Sequence, residues 1–323
     1  MTQRFDIASE ITSAILARLE AGTKPWAQPW TGAPPSRPLR YCGTPYRGIN
    51  ILLLWMAADV QGYTSPWWMS YRQAAQLGGQ VRKGEKATRC IFYKQLDARS
   101  DGGEGEANKH SEDIEHNEAS DAVNKGTGRV LRSFAVFNAD QIDELPERFS
   151  NSLKVRLFQD DAGTEPLSAL LARIPVTTIH QGAAAYYRPS TDVITLPAIA
   201  DFRDYPSYAA TRLHEAAHAT GHVSRLARDF GARFGSNAYA FEELIAEMAS
   251  AIVGAALGLP TRLLDNHASY LASWIKILKS DRSAVLSAAA RGQDASDMIL
   301  NWLGCYNAVV DAQMSAEPLR EAA

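Results

Sequence analysis

The 323-residue sequence lacks the features that place a protein in a membrane or in an oxidising compartment. It has no run of 18 apolar residues, and the apolar stretch from Ile49 to Ala58 is too short to span a bilayer. The first ten residues lack the apolar core of a secretion signal. Only three cysteines occur, far apart and without a C-x-x-C motif, so neither a disulfide framework nor a zinc ribbon is expected. We therefore expect a cytoplasmic protein that does not interact with membranes.

The sequence also lacks an overall excess of positive charge, with 33 Lys+Arg against 36 Asp+Glu and a net charge of −3. The charge is unevenly distributed, however. Residues 1–98 carry 12 basic and 6 acidic side chains, residues 99–128 carry 3 and 8, and residues 129–323 carry 18 and 22. Because the positive charge is concentrated in the first third, a polyanionic partner of that region remains a reasonable hypothesis.

Composition and periodicity predict an α+β protein with two domains. Residues 1–147 are expected to form a small α+β domain, and residues 148–323 a mostly helical domain with a small sheet. Residues 97–128 contain almost no large apolar side chains and are interpreted as a mobile acidic insertion. The strand-like segments before and after the insertion, Cys90–Lys94 and Val130–Phe137, are expected to pair.

Further elements are predicted from the spacing of apolar residues and from turn signals. Helices are expected at 6–20, 48–60, 70–77 and 165–173, and through most of the chain after Ser207. Strands are expected at 176–180, 184–188 and 193–196. The turn sequence Pro189-Ser-Thr-Asp192 separates the last two strands and predicts a hairpin.

The most specific motif in the sequence is His214-Glu215-Ala-Ala-His218. Histidines four residues apart lie on one face of a helix, so both imidazoles can reach one metal ion. Glu215 is next to the first histidine and is predicted to accept a proton from metal-bound water. The predicted cofactor is zinc, with another divalent ion such as Mn²⁺ as the alternative.

A catalytic zinc site normally has three protein ligands, and the segment Phe241–Met248 offers candidates for the third. Glu243 is predicted to be this ligand. Glu247 lies one turn further on the same face and is predicted to orient an imidazole, whereas Glu242 is turned about 100° away. His222 is expected to lie in the second shell.

A three-histidine site of the H-E-x-x-H-x-x-G-x-x-H type is excluded, because Ser224 occupies the last histidine position. Hydrolysis also requires a group that stabilises the oxyanion. His267 and Tyr239 are both candidates for that role, and the sequence does not decide between them.

The first 98 residues combine basic side chains with five of the seven tryptophans. Aromatic faces between cations are typical of proteins that bind single-stranded nucleic acid without reading its sequence. Trp55, within an apolar helix, is expected to be a core residue. Trp26 and Trp30 either stack on bases or pack, and the turn Arg82–Lys86 is either a phosphate contact or a solvated loop. The candidate nucleic-acid-binding residues are Trp26, Trp30, Arg47, Arg72, Arg82, Lys83 and Lys86.

Several stretches resemble the ArdC-like antirestriction proteins of conjugative plasmids, whose first half is also similar to the N-terminal region of some plasmid primases. These stretches are Trp26–Trp30, Tyr46–Asn50, Gln73–Gly79, Val81–Lys86, Val136–Gln141, His214–His222, Ser224–Leu226 and Ala240–Glu247. The resemblance implies an N-terminal domain that binds single-stranded DNA and a C-terminal zincin-like metallopeptidase domain. It also supports Glu243 as the third ligand.

The resemblance further implies protection of incoming plasmid DNA from host restriction. The leading hypothesis is a DNA-bound zinc metallopeptidase whose protein substrate is a component of the restriction system. One alternative is a protector that covers the DNA without proteolysis and has a structural metal site. Another is a replication accessory protein that delivers a primase or helicase to single strands.

Overall fold

The computed structural model describes residues 6–26, 36–95, 122–123, 129–149, 166–230, 237–259 and 270–305. Nearly all of the predicted acidic insertion lies outside these residues, and so do Trp30 and His267. The described part has the α+β fold predicted from the sequence.

The described residues of the first half form three α-helices around a small sheet. The helices are α1 (Ile7–Glu20), α2 (Ile49–Gln61) and α3 (Tyr71–Gln76), close to the predicted ranges. Asp6 caps α1 by accepting a hydrogen bond from the amide of Ala8. Gly62, with φ of 72°, ends α2 in the left-handed conformation that favours glycine.

The main sheet of this half is built from strands on both sides of the predicted insertion. Its strands are β1 (Leu39–Arg40), β2 (Trp67–Met69), β4 (Thr88–Gln95), β5 (Ala122–Val123) and β6 (Arg129–Asn138), in the order β1-β2-β6-β4 with β5 also beside β6. Strands β3 (Gln80–Val81) and β7 (Ile142–Asp143) form a separate pair. Antiparallel pairing of β4 with β6, from Thr88↔Val136 to Gln95↔Arg129, confirms the predicted pairing.

The second half contains five helices and a three-stranded sheet among its described residues. The helices are α4 (Leu167–Ala172), α5 (Tyr205–Thr220), α6 (Asn237–Leu257), α7 (Leu271–Ser280) and α8 (Ala284–Trp302). The strands are β8 (Thr177–His180), β9 (Tyr186–Arg188) and β10 (Val193–Leu196), in the order β8-β10-β9. Antiparallel pairing of β9 with β10 confirms the predicted hairpin. None of the described helices is both long enough and apolar enough to cross a membrane.

The hydrophobic core does not divide at residue 147. Helices α1 and α2 share one buried apolar cluster with α6, α7 and α8, in which Leu19 and Leu52 belong to the same core as Leu244, Trp274 and Val285. A second cluster joins the small sheet to α5, α6 and α8. Burial of this apolar surface stabilises the two halves together. Helix α6, which contributes to both clusters, therefore lies at the centre of the molecule.

Candidate metal centre

Helix α5 presents the H-E-x-x-H motif in its last two turns. The Asp204 side chain accepts a hydrogen bond from the amide of Ser207 at 2.8 Å and so begins the helix. The helix then continues to Thr220, so that His214 and His218 lie one turn apart on the same face. Both imidazoles are buried, and so is Glu215.

Three predicted ligands converge in the structure. The Nε2 atoms of His214 and His218 are 3.2 Å apart, and each lies 3.5 Å from an oxygen of Glu243. Two ligand atoms of a tetrahedral zinc ion are expected to be about 3.3–3.5 Å apart, given Zn–N and Zn–O bonds of about 2.0–2.2 Å. Two imidazoles and a carboxylate at these spacings fit one divalent ion, and they form a buried three-residue group.

The carboxylate that contacts the far side of a ligand imidazole is Glu242. Its Oε1 lies 3.3 Å from His218 Nδ1, a contact that the sequence did not predict. Burial lowers the pKa of His218, but hydrogen bonds to Glu242 and Glu243 outweigh this effect and raise the pKa to about 10. Such a contact fixes the orientation of a ligand imidazole and increases its basicity.

Arg228 is a residue of this centre that the sequence analysis missed. Its Nη2 donates to Glu242 Oε1 at 2.7 Å, and both side chains are less than 5% exposed. The same guanidinium donates to the Ala217 carbonyl and the Thr220 hydroxyl at the end of α5. A Cβ atom on Gly221 would lie 2.9 Å from the guanidinium, so a glycine at this position leaves room for it. No motif links Arg228 to Glu242, because the loop after α5 brings them together.

Glu247, predicted to orient an imidazole, is held by residues from the first half of the chain. Its Oε2 accepts a hydrogen bond from Trp26 Nε1 at 2.9 Å, and its Oε1 lies 3.4 Å from Lys24 Nζ. The Trp26 ring is 1% exposed and packs edge-on against Trp274, with ring centroids 5.3 Å apart. Base stacking by Trp26 was therefore a wrong prediction, because both faces of the ring are covered by protein.

The remaining predicted residues lie at different distances from the ligands. Tyr239 hydrogen-bonds the Glu243 carboxylate and the hydroxyl of Tyr270, and burial raises the pKa of Tyr239. Tyr270 was not among the predicted residues. Burial raises its pKa, and the nearby charges of Glu243 and Glu215 raise it further. The imidazole of His222, predicted to lie in the second shell, is 2.7 Å from Ser224 in the turn after α5 and is not part of the ligand group.

Two family models match the chain. One describes the N-terminal domain of the anti-restriction factor ArdC and covers residues 5–137, and the other describes a zincin-like metallopeptidase and covers residues 165–291. The crystal structure of the metal-free antirestriction protein ArdC from plasmid R388 has 36% sequence identity and a TM-score of 0.73, over 94% of this chain and 99% of that one. The chain belongs to the ArdC antirestriction family. A second structure of the R388 protein contains Mn(II), with the same identity and TM-score.

Two curated proteins extend this comparison. An uncharacterised protein of Sinorhizobium fredii, y4eC, is 36% identical over 90% of this chain and 91% of its own length. The DNA primase TraC of Escherichia coli is 39% identical over 90% of this chain, which spans only 27% of that primase. Similarity to ArdC thus covers 94% of this chain and nearly all of that protein, whereas similarity to the primase concerns about a quarter of the larger protein.

In this ArdC-family chain, the N-terminal tryptophans that the structure describes are core residues. Trp55 is 3% exposed, which confirms its predicted core position, and Trp67 and Trp68 are also buried. Among the described residues of this half, the exposed aromatic side chains are Tyr71 and Tyr93, each 54% exposed. In the part of this half that the structure describes, the exposed rings available to a ligand are therefore those of tyrosines.

The predicted basic contacts differ in their surroundings. Arg47 forms an ion pair with Asp297 of α8, and Arg82 is bound to Glu85 and Asp143. The side chains of Arg72, Lys83 and Lys86 are exposed, and those of Arg47 and Arg82 are also 50% and 43% exposed. The ion pairs of Arg82 link the turn between β3 and β4 to Asp143 of β7, and Lys83 and Lys86 of the same turn are exposed.

Proposed function

We propose that this ArdC-family protein binds a divalent metal ion, zinc or manganese, through His214, His218 and Glu243 and hydrolyses peptide bonds. The observation that supports the proposal is the spacing of the three buried ligands, 3.2–3.5 Å. A divalent ion bound there supplies a water molecule of lowered pKa and polarises a substrate carbonyl.

The residues of the chain itself provide the other requirements for this reaction. Glu215 is buried beside the ligands and is the proposed general base. Glu242 and Arg228 hold His218 in place, and Tyr239 holds Glu243. Tyr239 is thereby a positioning residue for a ligand, while His267 remains a candidate oxyanion donor outside the described residues.

We also propose that the first half of the chain binds single-stranded DNA without strong sequence preference. Tyr71 and Tyr93 offer exposed rings for base stacking, and Arg72, Lys83 and Lys86 offer exposed cations for phosphates. The Tyr71 hydroxyl accepts a hydrogen bond from Gln80 of β3, which places this ring next to the basic turn. Together these side chains form the proposed contact surface, and similarity to the TraC primase agrees with a partner of this kind.

On this basis the protein acts in the cytoplasm, where it protects incoming plasmid DNA from restriction. A component of the restriction system is the proposed protein substrate. In the alternative, the protein protects DNA by covering it, and its metal site is structural. One observation favours this alternative: helix α6, which carries Glu243, shares its core with α1 and α2. A role as a replication accessory would follow the primase similarity instead.

The Glu215→Ala variant distinguishes these functions. It is expected to bind metal and oligonucleotides like the wild type and to lose all proteolysis of restriction-system components, because the ligands are unchanged and the base is absent. Protection of transferred DNA in cells is measured in parallel. Loss of protection supports the peptidase, whereas full protection by the variant would contradict it and favour DNA covering. Stable co-purification with a primase or helicase would instead favour the accessory role.

A further inference from the structure

Two residues from the first half of the chain reach the helix that carries the third metal ligand. Trp26 Nε1 donates to Glu247 Oε2 at 2.9 Å, and Lys24 Nζ lies 3.4 Å from Glu247 Oε1. Glu247 is 1% exposed and lies one helical turn after Glu243. We infer that Lys24 and Trp26 are positioning residues of the metal centre, which act on Glu243 through Glu247. This inference rests on the proposed metal site.

The physical reason is the cost of a buried carboxylate. An ionised carboxylate removed from water is stable only if its oxygens are hydrogen-bonded or paired with a cation. Here Trp26 donates a hydrogen bond to one oxygen of Glu247, and Lys24 donates to the other. Without these donors each oxygen of Glu247 loses a hydrogen bond, and we expect the side chain to shift together with the turn of α6 that carries Glu243. Metal sites tolerate little displacement of their ligands.

The charges of the centre support the same assignment. Four carboxylates, those of Glu215, Glu242, Glu243 and Glu247, are buried within it. Arg228 pairs with Glu242, and Lys24 pairs with Glu247. Glu215 and Glu243 are the two carboxylates that would act directly at the ion. Glu242 is therefore paired with a cation from the second half, Arg228, and Glu247 with a cation from the first half, Lys24.

Trp26 reaches the centre by a second route, through aromatic packing. Its ring lies edge-on to Trp274, whose Nε1 donates to the Ala240 carbonyl in the first turn of α6 at 2.8 Å. Trp274 in turn stacks on Tyr270, with ring centroids 6.1 Å apart, and the Tyr270 hydroxyl hydrogen-bonds Tyr239 beside the ligands. Packing of Trp26 therefore supports both the start of α6 and the turn that follows the ligand.

The Trp26→Phe variant tests the inference, because it removes the N–H donor and keeps an aromatic ring. Zn²⁺ affinity is measured on the full chain by competition with a chromophoric chelator, below the unfolding temperature, and the Co²⁺ absorption spectrum is recorded. We expect affinity to fall about tenfold, the lower end of the effect of outer-shell changes, with an altered spectrum. The matched control is Trp55→Phe, which removes an indole N–H that donates to the Ser36 carbonyl in the same core. It should leave affinity and spectrum unchanged.

A second pair of variants covers the case in which Trp26→Phe does not fold. Lys24→Met should lower the Zn²⁺ affinity, as Trp26→Phe does. Lys24→Arg keeps the cation and should bind Zn²⁺ with wild-type affinity. Wild-type affinity and spectrum in both Trp26→Phe and Lys24→Met would overturn the inference, and where Trp26→Phe does not fold, wild-type values in Lys24→Met alone would overturn it. Failure of the wild-type protein itself to bind Zn²⁺, Mn²⁺ or Co²⁺ would instead overturn the proposed metal site, so the two failures are distinguishable.

Discussion

The buried ion pair between Arg228 and Glu242 offers the sharpest test of how the metal centre is held. Both side chains are almost fully buried, and the guanidinium also bonds the last turn of α5. Removing one partner of a buried pair leaves an uncompensated charge and typically costs about 3–5 kcal/mol. Arg228→Met is therefore expected to lower the free energy of unfolding by about that amount. Because Glu242 also contacts His218, Zn²⁺ affinity should fall about 10–100-fold.

The assay is equilibrium unfolding in urea without metal, together with Zn²⁺ competition on the folded protein. Arg203→Ala is the matched control, because Arg203 pairs with Asp204 at 3.0 Å but is 75% exposed, and such pairs contribute only about 0–1 kcal/mol. The double variant Arg228→Met/Glu242→Gln should recover part of the lost stability, since it removes the unpaired charge. The reasoning is refuted if Arg228→Met costs no more stability than Arg203→Ala and binds Zn²⁺ as tightly as the wild type.

Three further predictions concern other parts of the structure. Replacing Lys83 and Lys86 by glutamate should weaken single-strand binding and flatten its dependence on salt, measured by fluorescence anisotropy; an unchanged salt slope would exclude this turn as a phosphate contact. The hydrogen bond from Arg225 is the main cause that lowers the pKa of Asp192 to about 2, although burial opposes it. The stabilisation by this pair should therefore be fully present above about pH 4 and be lost as the pH falls through about 2. Asp192→Asn should remove that part of the pH dependence in acid unfolding curves, and identical curves would contradict the assignment. Gly221→Ala should lower the melting temperature, because the new Cβ would lie within 3 Å of two side chains; an unchanged value would show that they move away freely.

Local periodicity was sufficient to predict the centre of the site. His214 and His218 are four residues apart, and the helical repeat alone brings their imidazoles to one face. The choice of Glu243 as third ligand needed only a helix and the resemblance to ArdC-like proteins. Antiparallel pairing across the acidic insertion was likewise predictable, because both strands are apolar and turn-bounded.

The surroundings of the ligands could not be predicted in the same way. Helix α6 is buried around its whole circumference from Glu242 to Leu257, so its sequence has no polar face that would show its rotation. The contact of Glu242 with His218 was consequently not predicted. Which partner each carboxylate meets depends on Arg228 from the loop after α5 and on Trp26 from the first half of the chain.

The sequence by itself therefore predicted the fold class, the family and three candidate metal ligands. Helical spacing places His214 and His218 on one face, and the resemblance to ArdC-like proteins supports Glu243. Only the tertiary structure decided that Trp26, Trp67 and Trp68 belong to the core rather than to a nucleic-acid surface. An aromatic ring between cations has the same sequence pattern in either setting. Its exposure depends on which distant helices pack against it, and here α1, α2, α6, α7 and α8 share one core.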